Sequence, residues 1–247
     1  MNRTRYVRDN VFWYSSANKI YENSGADSRY SLHFMYADRN EILSNDYRRN
    51  SVGIFLMFSQ GSTLKRNFVA DSTGPFGIGI GMKESSDILV EENQILYNAR
   101  GFYLDSSPYQ PGTFNTFRGN EINFNTTAFL LHGTLLPSLF ESNVFKGNIE
   151  DVANDTPESK LEINTWRSNY WDNYEGFDRN DDGYGDIPHE QWMYADRIWS
   201  YLPAAKFFYA SPVLDFMNFL WRLMPFSEPV LLARDARPQI RERGTEK

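Results

Sequence analysis

The chain of 247 residues contains no cysteine, which excludes disulfides, thiolate metal sites and a cysteine nucleophile. Basic residues are outnumbered, since 25 Lys and Arg against 32 Asp and Glu give a formal net charge of −7. No basic stripe that would bind nucleic acid is present. No run reaches the ~18 apolar residues that a transmembrane helix needs, and no apolar leader follows Met1, so no signal peptide is visible.

What the chain does have is asparagine at regular intervals. The pattern Asn-x-apolar-x-x-Asn occurs at 18–23, 40–45, 93–98, 120–125 and 143–148, with a weakened copy at Arg66-x-Phe68-x-x-Asp71. A repeat of ~22–27 residues is typical of one coil of a β-solenoid, with three short strands per coil. Asn suits the corners because it tolerates the left-handed backbone region and its amide can pair with the next coil.

A second strand of each coil aligns independently in the segments 30–36, 52–58, 76–82, 100–106 and 127–133. The alignment gives two apolar columns: Leu32, Ile54, Ile78, Phe102 and Phe129, then Phe34, Leu56, Ile80, Leu104 and Leu131. The two columns lie two residues apart and therefore share one face of the sheet, which is predicted to be the core. The sequence thus predicts an all-β, right-handed parallel β-helix.

The repeat weakens after Asn148, where a polar break and an aromatic, Asn-rich segment follow. We therefore expect β-helix coils over 1–150. Residues 151–247 are expected to hold a final coil, an Asp-rich loop and a partly helical C-terminal cap, because the open end of a solenoid exposes strand edges that need covering.

The alternation that places Leu32 and Phe34 inside places His33 and Met35 outside, with Met57 beside Met35 on the next coil. Imidazole and thioether ligands select soft metals, Cu(I) above all. His33, Met35 and Met57 are therefore candidate copper ligands. The alternative is that the two methionines pack beneath a loop or another subunit. His132, on a distant coil, is expected to be structural.

Asp178, Asn180 and Asp182, followed by Gly183, form the core of a calcium loop, and Asp186 holds its ninth position. The Glu expected at the twelfth position is missing, because His189 stands there. The loop is predicted either to bind Ca²⁺ weakly or to be a tight turn held by its own side-chain hydrogen bonds.

The segment 213–225 is strongly apolar, and Ser211 and Pro212 suit the start of a helix. It is too short to span a bilayer. It either covers the open end of the β-helix, docks on a membrane protein or lies at a membrane surface. The candidate docking residues are Phe216, Phe219, Leu220 and Trp221.

The sequence shows no Ser-His-Asp arrangement, glycine-rich phosphate loop or His-x-x-x-His motif. Parallel β-helices that act on polysaccharides use paired carboxylates on an outward face. The outward strand aligned above holds Asp105 as its one carboxylate. We therefore expect a protein that is not an enzyme, with a carbohydrate-binding or polysaccharide-active β-helix as the alternative.

Several segments resemble one family. Arg29–Tyr36 resembles the R-Y-G-x-H-Y-M-Y signature of the NosD family, and Leu56–Ser59 resembles its following M-Y-S coil. The C-terminal cap of the family is similar to Asn169–Trp171, the 178–186 loop, Ser211-Pro212 with its apolar segment, and Asp235-x-x-Pro238. The resemblance runs from about Val11 over almost the whole chain.

The resemblance implies a periplasmic right-handed β-helix that helps to build the copper–sulfide centre of nitrous oxide reductase. It implies an ABC-type ATPase and permease, NosF and NosY, as partners and the copper chaperone NosL as donor. The chain departs from the signature at Ser31, Phe34 and Phe58, and the family's N-terminal coils and signal peptide are missing from it. The chain is therefore expected to be the C-terminal part of a longer protein.

Overall fold

The computed structural model describes residues 3–5, 9–193, 211–212, 216, 219–220 and 229–242. Within them the chain is nearly all β, and its strands form three sheets of 8, 7 and 9 strands. The one 3₁₀ turn in the described ranges is Leu161–Ile163. No helix in this part of the chain is long and apolar enough to cross a membrane.

Sheet A consists of β1 (Arg3–Arg5), β4 (Ser24–Ala26), β7 (Asp46–Arg48), β10 (Phe68–Ala70), β13 (Gln94–Leu96), β16 (Glu121–Asn123), β19 (Val144–Lys146) and β22 (Tyr170–Trp171). Sheet B consists of β2 (Asp9–Trp13), β5 (Tyr30–Met35), β8 (Val52–Met57), β11 (Ile78–Lys83), β14 (Arg100–Asp105), β17 (Thr127–His132) and β20 (Glu150–Asn154). Sheet C consists of β3 (Lys19–Tyr21), β6 (Glu41–Leu43), β9 (Thr63–Lys65), β12 (Leu89–Glu91), β15 (Asn115–Arg118), β18 (Ser138–Glu141), β21 (Thr165–Arg167), β23 (His189–Met193) and β24 (Val230–Asp235).

Consecutive strands of the coils enter different sheets, and each pairs in parallel with the strand three positions along the chain. This topology is the predicted parallel β-helix, which is confirmed. The departure lies at the C-terminal end of sheet C, where β24 pairs in parallel with β21 and antiparallel with β23.

A ladder of side-chain amides holds one corner of the coils. In each rung the backbone N and the Nδ2 of one asparagine donate to the Oδ1 of the next at 2.9–3.2 Å. The ladder runs through Asn23, Asn45, Asn67, Asn93, Asn120, Asn143 and Asn169. From Asn45 onward, each Nδ2 also donates to a backbone carbonyl at 2.8–3.0 Å.

The left-handed corner residue is the one before each ladder asparagine, rather than the asparagine itself. These residues have φ between 52° and 63° and are Glu22, Ser44, Arg66, Glu92, Gly119, Ser142 and Ser168. A non-glycine residue pays a strain cost in this region. The hydrogen bonds of the asparagine amide therefore determine where each corner lies, and the residue before the asparagine adopts the left-handed conformation that the turn needs.

The inward side chains stack as columns along the axis. Ile54, Ile80 and Phe102 are fully buried in one column of sheet B. Aromatic side chains become more frequent in the core toward the C-terminal end. There the Phe140 ring stacks on Trp166 with 3.9 Å between centroids, and Phe145 stacks on Trp171 at 4.2 Å. These rings stabilise the fold both by burying apolar surface and by stacking on one another.

The predicted register of β11, the third of the aligned strands, was wrong by two residues. Ile80 pairs with Ile54 and Phe102, and Met82 takes the place predicted for Ile80. Because Gly77, Gly79 and Gly81 alternate with apolar residues, either register matches the alternation. A shift by two keeps each side chain on its face, so the inward and outward assignments hold. Lys83, and not Gly81, lies beside Met57.

The weakened asparagine copy was also placed wrongly. Asn67, one residue beyond Arg66, is the ladder residue, and Val69 rather than Phe68 is fully buried. The pattern in fact occurs twice in tandem along some coils, as at 40–45 and 45–50, and at 115–120 and 120–125. The predicted repeat therefore combined asparagines from two neighbouring corners in a single series. Along the ladder itself, successive asparagines are separated by 22, 22, 26, 27, 23 and 26 residues.

Asp235 occupies the last rung of the ladder, 66 residues beyond Asn169. Its fully buried carboxylate accepts from the backbone N of Asn169 at 2.8 Å, from Asn169 Nδ2 at 2.9 Å and from Trp171 Nε1 at 3.3 Å. The backbone N–H groups of Ser168 and Arg237 donate to its other oxygen. Charge-assisted bonds of this kind are stronger than neutral ones, so Asp235 fastens β24 to the final coil.

A second buried polar group joins the cap to the final coil. Asp151 accepts from Asn148 Nδ2 and from Gln191 Nε2, each at 3.0 Å. The His189 ring stacks on Trp171 at 4.7 Å, and its Nε2 lies 3.3 Å from Gln191 Nε2. Burial raises the pKa of Asp151 to about 6 and lowers the pKa of His189 to about 4.

Replacing Asn120 by alanine is expected to lower the free energy of unfolding by about 3 kcal/mol, because buried partners lose their bonds. The amide donates to Val90 O and Asn143 Oδ1, and its oxygen accepts from the N and Nδ2 of Asn93. Urea unfolding followed by circular dichroism measures the change. The neighbouring exposed Glu121→Ala is the control, and equal losses in both variants would contradict the role of the ladder.

Acidification is expected to change the contributions of Asp151 and His189 to the free energy of unfolding in opposite directions. Asp151 has a raised pKa, so its contribution to stability is present below its ordinary 3.8 and is lost as pH rises through about 6. His189 has a depressed pKa, so its contribution is present above its ordinary 6.5 and is lost as pH falls through about 4. Between about pH 7.5 and about pH 5 the two changes are each about 1–2 kcal/mol and nearly cancel.

Single variants remove this cancellation. The reference is the double variant Asp151→Asn/His189→Phe, in which neither group titrates. Relative to it, Asp151→Asn is expected to lose stability on acidification, because His189 alone then titrates. His189→Phe is expected to gain stability, because Asp151 alone then titrates. Urea midpoints at the two pH values measure both slopes, and slopes of the same sign would show that these groups are not buried together as described.

Candidate functional site

The outward face of sheet B brings the predicted histidine and one methionine into contact. His33 Nε2 lies 3.1 Å from Met57 Sδ, across the paired strands β5 and β8. Both side chains are half-buried. The alternation of the strand places them outside because Leu32, Phe34, Ile54 and Leu56 point into the core.

Two aromatic rings fix the orientation of His33. The ring of Tyr30 stacks on the imidazole with 4.8 Å between centroids, and the ring of Phe55 meets it edge-on at 6.1 Å. Phe55 extends over Gly81, where an added Cβ would lie 2.3 Å from the ring. A larger residue at position 81 would therefore displace Phe55 and release the imidazole.

Met35 lies directly beside Met57 in the register, and Trp13 lies beside Met35 on the other side. At the adjoining corner the rings of Tyr14, Tyr36 and Phe58 stack with centroid separations of 5.1 and 4.9 Å. The structure thus surrounds the predicted His33–Met35–Met57 group with aromatic rings. Neither Tyr30 nor Trp13 was predicted to be part of the site: Tyr30 belongs to the first aligned strand, whereas Trp13 lies on β2, one coil before the alignment begins.

The donor set suits a soft, monovalent metal ion. One imidazole nitrogen and two thioether sulfurs offer no negative charge, which favours Cu(I) over harder divalent ions. Metal bonds of ~2.0–2.3 Å hold two ligand atoms of a trigonal site roughly 4 Å apart, so Met57 would have to move outward slightly. The three rotatable bonds of methionine permit that movement.

The other half of the same face is polar. Lys83 Nζ donates to Asp105 Oδ2 at 2.8 Å, and His132 Nδ1 lies 2.7 Å from Asp155 Oδ1. Desolvation raises the pKa of Tyr103 to about 12, and Asp105 adds to this effect. Asp105 and Asp155 therefore each have a basic partner. This arrangement differs from the pair of free carboxylates that polysaccharide hydrolysis uses.

The Asp-rich loop closes on itself. Asp178 accepts from the backbone N–H groups of Asp182 and Gly183, and Asp186 Oδ2 accepts from the backbone N of Arg179 at 2.7 Å. Arg237 donates to Asp182 Oδ2 at 2.8 Å, and this hydrogen bond lowers the pKa of Asp182. The guanidinium of Arg237 also lies over the Tyr184 ring.

The side-chain oxygen of Asn180, another predicted calcium ligand, accepts from the backbone N of Asp182 at 3.3 Å, and its Nδ2 donates to Asp182 Oδ2. Across the described part of the chain, no three His, Cys, Asp or Glu side chains come together as a metal centre. The loop contributes carboxylates and one amide, and a guanidinium already lies at Asp182.

The candidate docking residues lie partly within the described ranges. Phe216, Phe219 and Leu220 are helical and expose 57%, 56% and 43% of their surface. Trp221 and most of the apolar segment 213–225 lie outside the described residues. An exposed apolar group of this kind suits contact with another protein or a membrane surface.

A family model described as "Periplasmic copper-binding protein (NosD)" matches residues 1–176. A protein of Stutzerimonas stutzeri named "Probable ABC transporter binding protein NosD" is 28% identical over 177 residues, which are 70% of this chain and 36% of that protein. A protein of Pseudomonas aeruginosa with the same name is 30% identical over 129 residues, 52% of this chain and 30% of that protein. The chain thus spans about a third of the length of these relatives. The chain belongs to the NosD family of periplasmic copper-binding proteins.

Proposed function

We propose that this chain is a non-enzymatic accessory protein for nitrous oxide reductase, and that it assists assembly of the copper–sulfide centre. Membership of a family described as copper-binding supports the role of copper. The observation that carries the proposal is the contact of His33 Nε2 with Met57 Sδ on an outward face. Copper is the cargo of this site, and His33, Met35 and Met57 are its proposed ligands.

The proposed work of the chain's own residues is to hold and release Cu(I). Tyr30 and Phe55 orient the imidazole, so His33 loses little freedom when it binds a metal ion. Met35 and Met57 supply soft ligands that can rotate. Because the site lies on the surface, ligands from a second protein can approach the ion and exchange with those of this chain.

We propose periplasmic action alongside an ABC-type ATPase and permease similar to NosF and NosY. The family description and the relatives' printed name support this setting. Nitrous oxide reductase is the proposed client, and a chaperone similar to NosL is the proposed copper donor. The exposed Phe216, Phe219 and Leu220 are the proposed docking group, since their apolar surface suits a membrane-protein partner.

Substituting the thioethers tests the copper role. The double variant Met35→Ala/Met57→Ala is expected to bind Cu(I) at least about tenfold more weakly than wild type, because two soft ligands are lost. Competition with a chromogenic Cu(I) chelator under anaerobic conditions measures the affinity. Leu130→Ala, on the outward face of the same sheet, is the matched control.

Equal Cu(I) affinity in wild type and the double variant would refute the assignment of these ligands. The same variants can be tested in cells that express the reductase. Loss of the reductase's copper–sulfide absorption in the double variant, with Leu130→Ala unaffected, is expected. Full assembly with the double variant would mean that these ligands are not needed for maturation.

We further propose that the Asp-rich loop binds Ca²⁺ in competition with Arg237, because the guanidinium occupies an oxygen that the ion needs. Arg237→Gln is therefore expected to raise Ca²⁺ affinity, and Asp178→Asn to lower it. Isothermal titration calorimetry measures both. Arg179→Gln is the control, because its guanidinium lies over the Phe177 ring of the same loop. Absence of heat in both wild type and Arg237→Gln would exclude calcium at this loop.

A further inference from the structure

We propose that Trp13 forms an aromatic wall of the Cu(I) site and holds the bound ion by a cation–π contact. The inference rests on the copper role proposed above and extends the site by a residue that is not a conventional ligand. The proposed contact between a monovalent cation and an indole would act together with the metal bonds from the imidazole and the thioethers.

The register of sheet B supports this position. Trp13 pairs with Met35, and Met35 pairs with Met57, so the three side chains occupy one outward column on adjacent strands. Adjacent strands lie ~4.8 Å apart, so Trp13 is one strand from Met35 and two strands from Met57. His33 completes the group from the neighbouring column, with its Nε2 3.1 Å from Met57 Sδ.

Trp13 lies on β2, the edge strand of sheet B, which pairs with β5 alone among the described residues. It exposes 63% of its surface, whereas Trp166 and Trp171 are buried in the core. The Tyr14 ring lies 5.9 Å from the indole at an interplanar angle of 17°. Tyr14 belongs in turn to the corner stack with Tyr36. The indole is therefore stacked on Tyr14, and its residue lies beside Met35 in the register instead of in the core.

The chemistry of the donor set explains why such a wall would help. His33, Met35 and Met57 are all neutral ligands, so the bound ion keeps its full positive charge. The face of an aromatic ring carries negative potential, and tryptophan attracts cations most strongly among the aromatic residues. An indole over the ion also excludes water from an otherwise exposed site, and desolvation strengthens the contact.

Removing the aromatic ring is expected to weaken Cu(I) binding without removing a ligand. Trp13→Leu should lose about fivefold to tenfold in affinity, which corresponds to the usual strength of a cation–π contact. Trp13→Phe should keep most of the affinity. The probe is Cu(I) supplied anaerobically, with a chromogenic chelator as competitor, and circular dichroism verifies that each variant keeps its fold.

Tryptophan fluorescence supplies an independent readout. Cu(I) is expected to quench part of the emission of wild type and of Trp192→Phe, in which an exposed tryptophan of the C-terminal cap is replaced. Trp13→Phe should lose the part of the quenching that Trp13 supplies, although it binds Cu(I). Trp166 and Trp171 lie several coils away from Met57 and would not respond.

The outcomes separate the two proposals. If wild type binds Cu(I), but Trp13→Leu binds it equally well and quenching is undiminished in Trp13→Phe, the wall is refuted and the ligand assignment stands. If wild type does not bind Cu(I), both proposals fall. Weaker binding by Trp13→Leu together with reduced quenching in Trp13→Phe supports both.

Discussion

The fold depends on one repeated interaction, the bond from the backbone N and Nδ2 of one asparagine to the Oδ1 of the next. A buried amide must satisfy its donors and its acceptor, and in this ladder it does so with the coils on either side. The interaction therefore fixes which residue of one coil lies over which residue of the next. The three sheets follow from that register, and so does the outward face on which His33 meets Met57.

Much of this architecture is readable in the sequence, because the physical period of a strand is short and strict. The aliphatic columns through Leu32 and Phe34 identify the core face, and the asparagines identify the coils. Register is harder to read. Where the residues 72–77 lengthen one coil and glycines alternate on either side of Ile78, two alignments satisfy the same alternation. The amide ladder settles the choice in three dimensions, and a linear pattern does not contain it.

The candidate site was predictable in part. The alternation alone places His33, Met35 and Met57 outside, and the structure adds the His33–Met57 contact and the orienting ring of Tyr30. Contacts between distant segments were not predictable, since no local period links them. The position of Asp235 beneath Asn169 and the bond between Gln191 and Asp151 are of this kind. Both depend on how the C-terminal segment folds back onto the last coil.

The substitution of a carboxylate for an amide at Asp235 gives the β-helix a molecular stop. Every asparagine rung both accepts and donates, so the ladder behaves as a directional polymer in which each unit offers hydrogens to the one after it. An ionised carboxylate has no hydrogen to offer. Asp235 therefore ends the side-chain half of the ladder, because its carboxylate accepts from Asn169 and has no hydrogen to donate to a further unit. The exchange of one functional group thus marks the place where the series of side-chain amides ends.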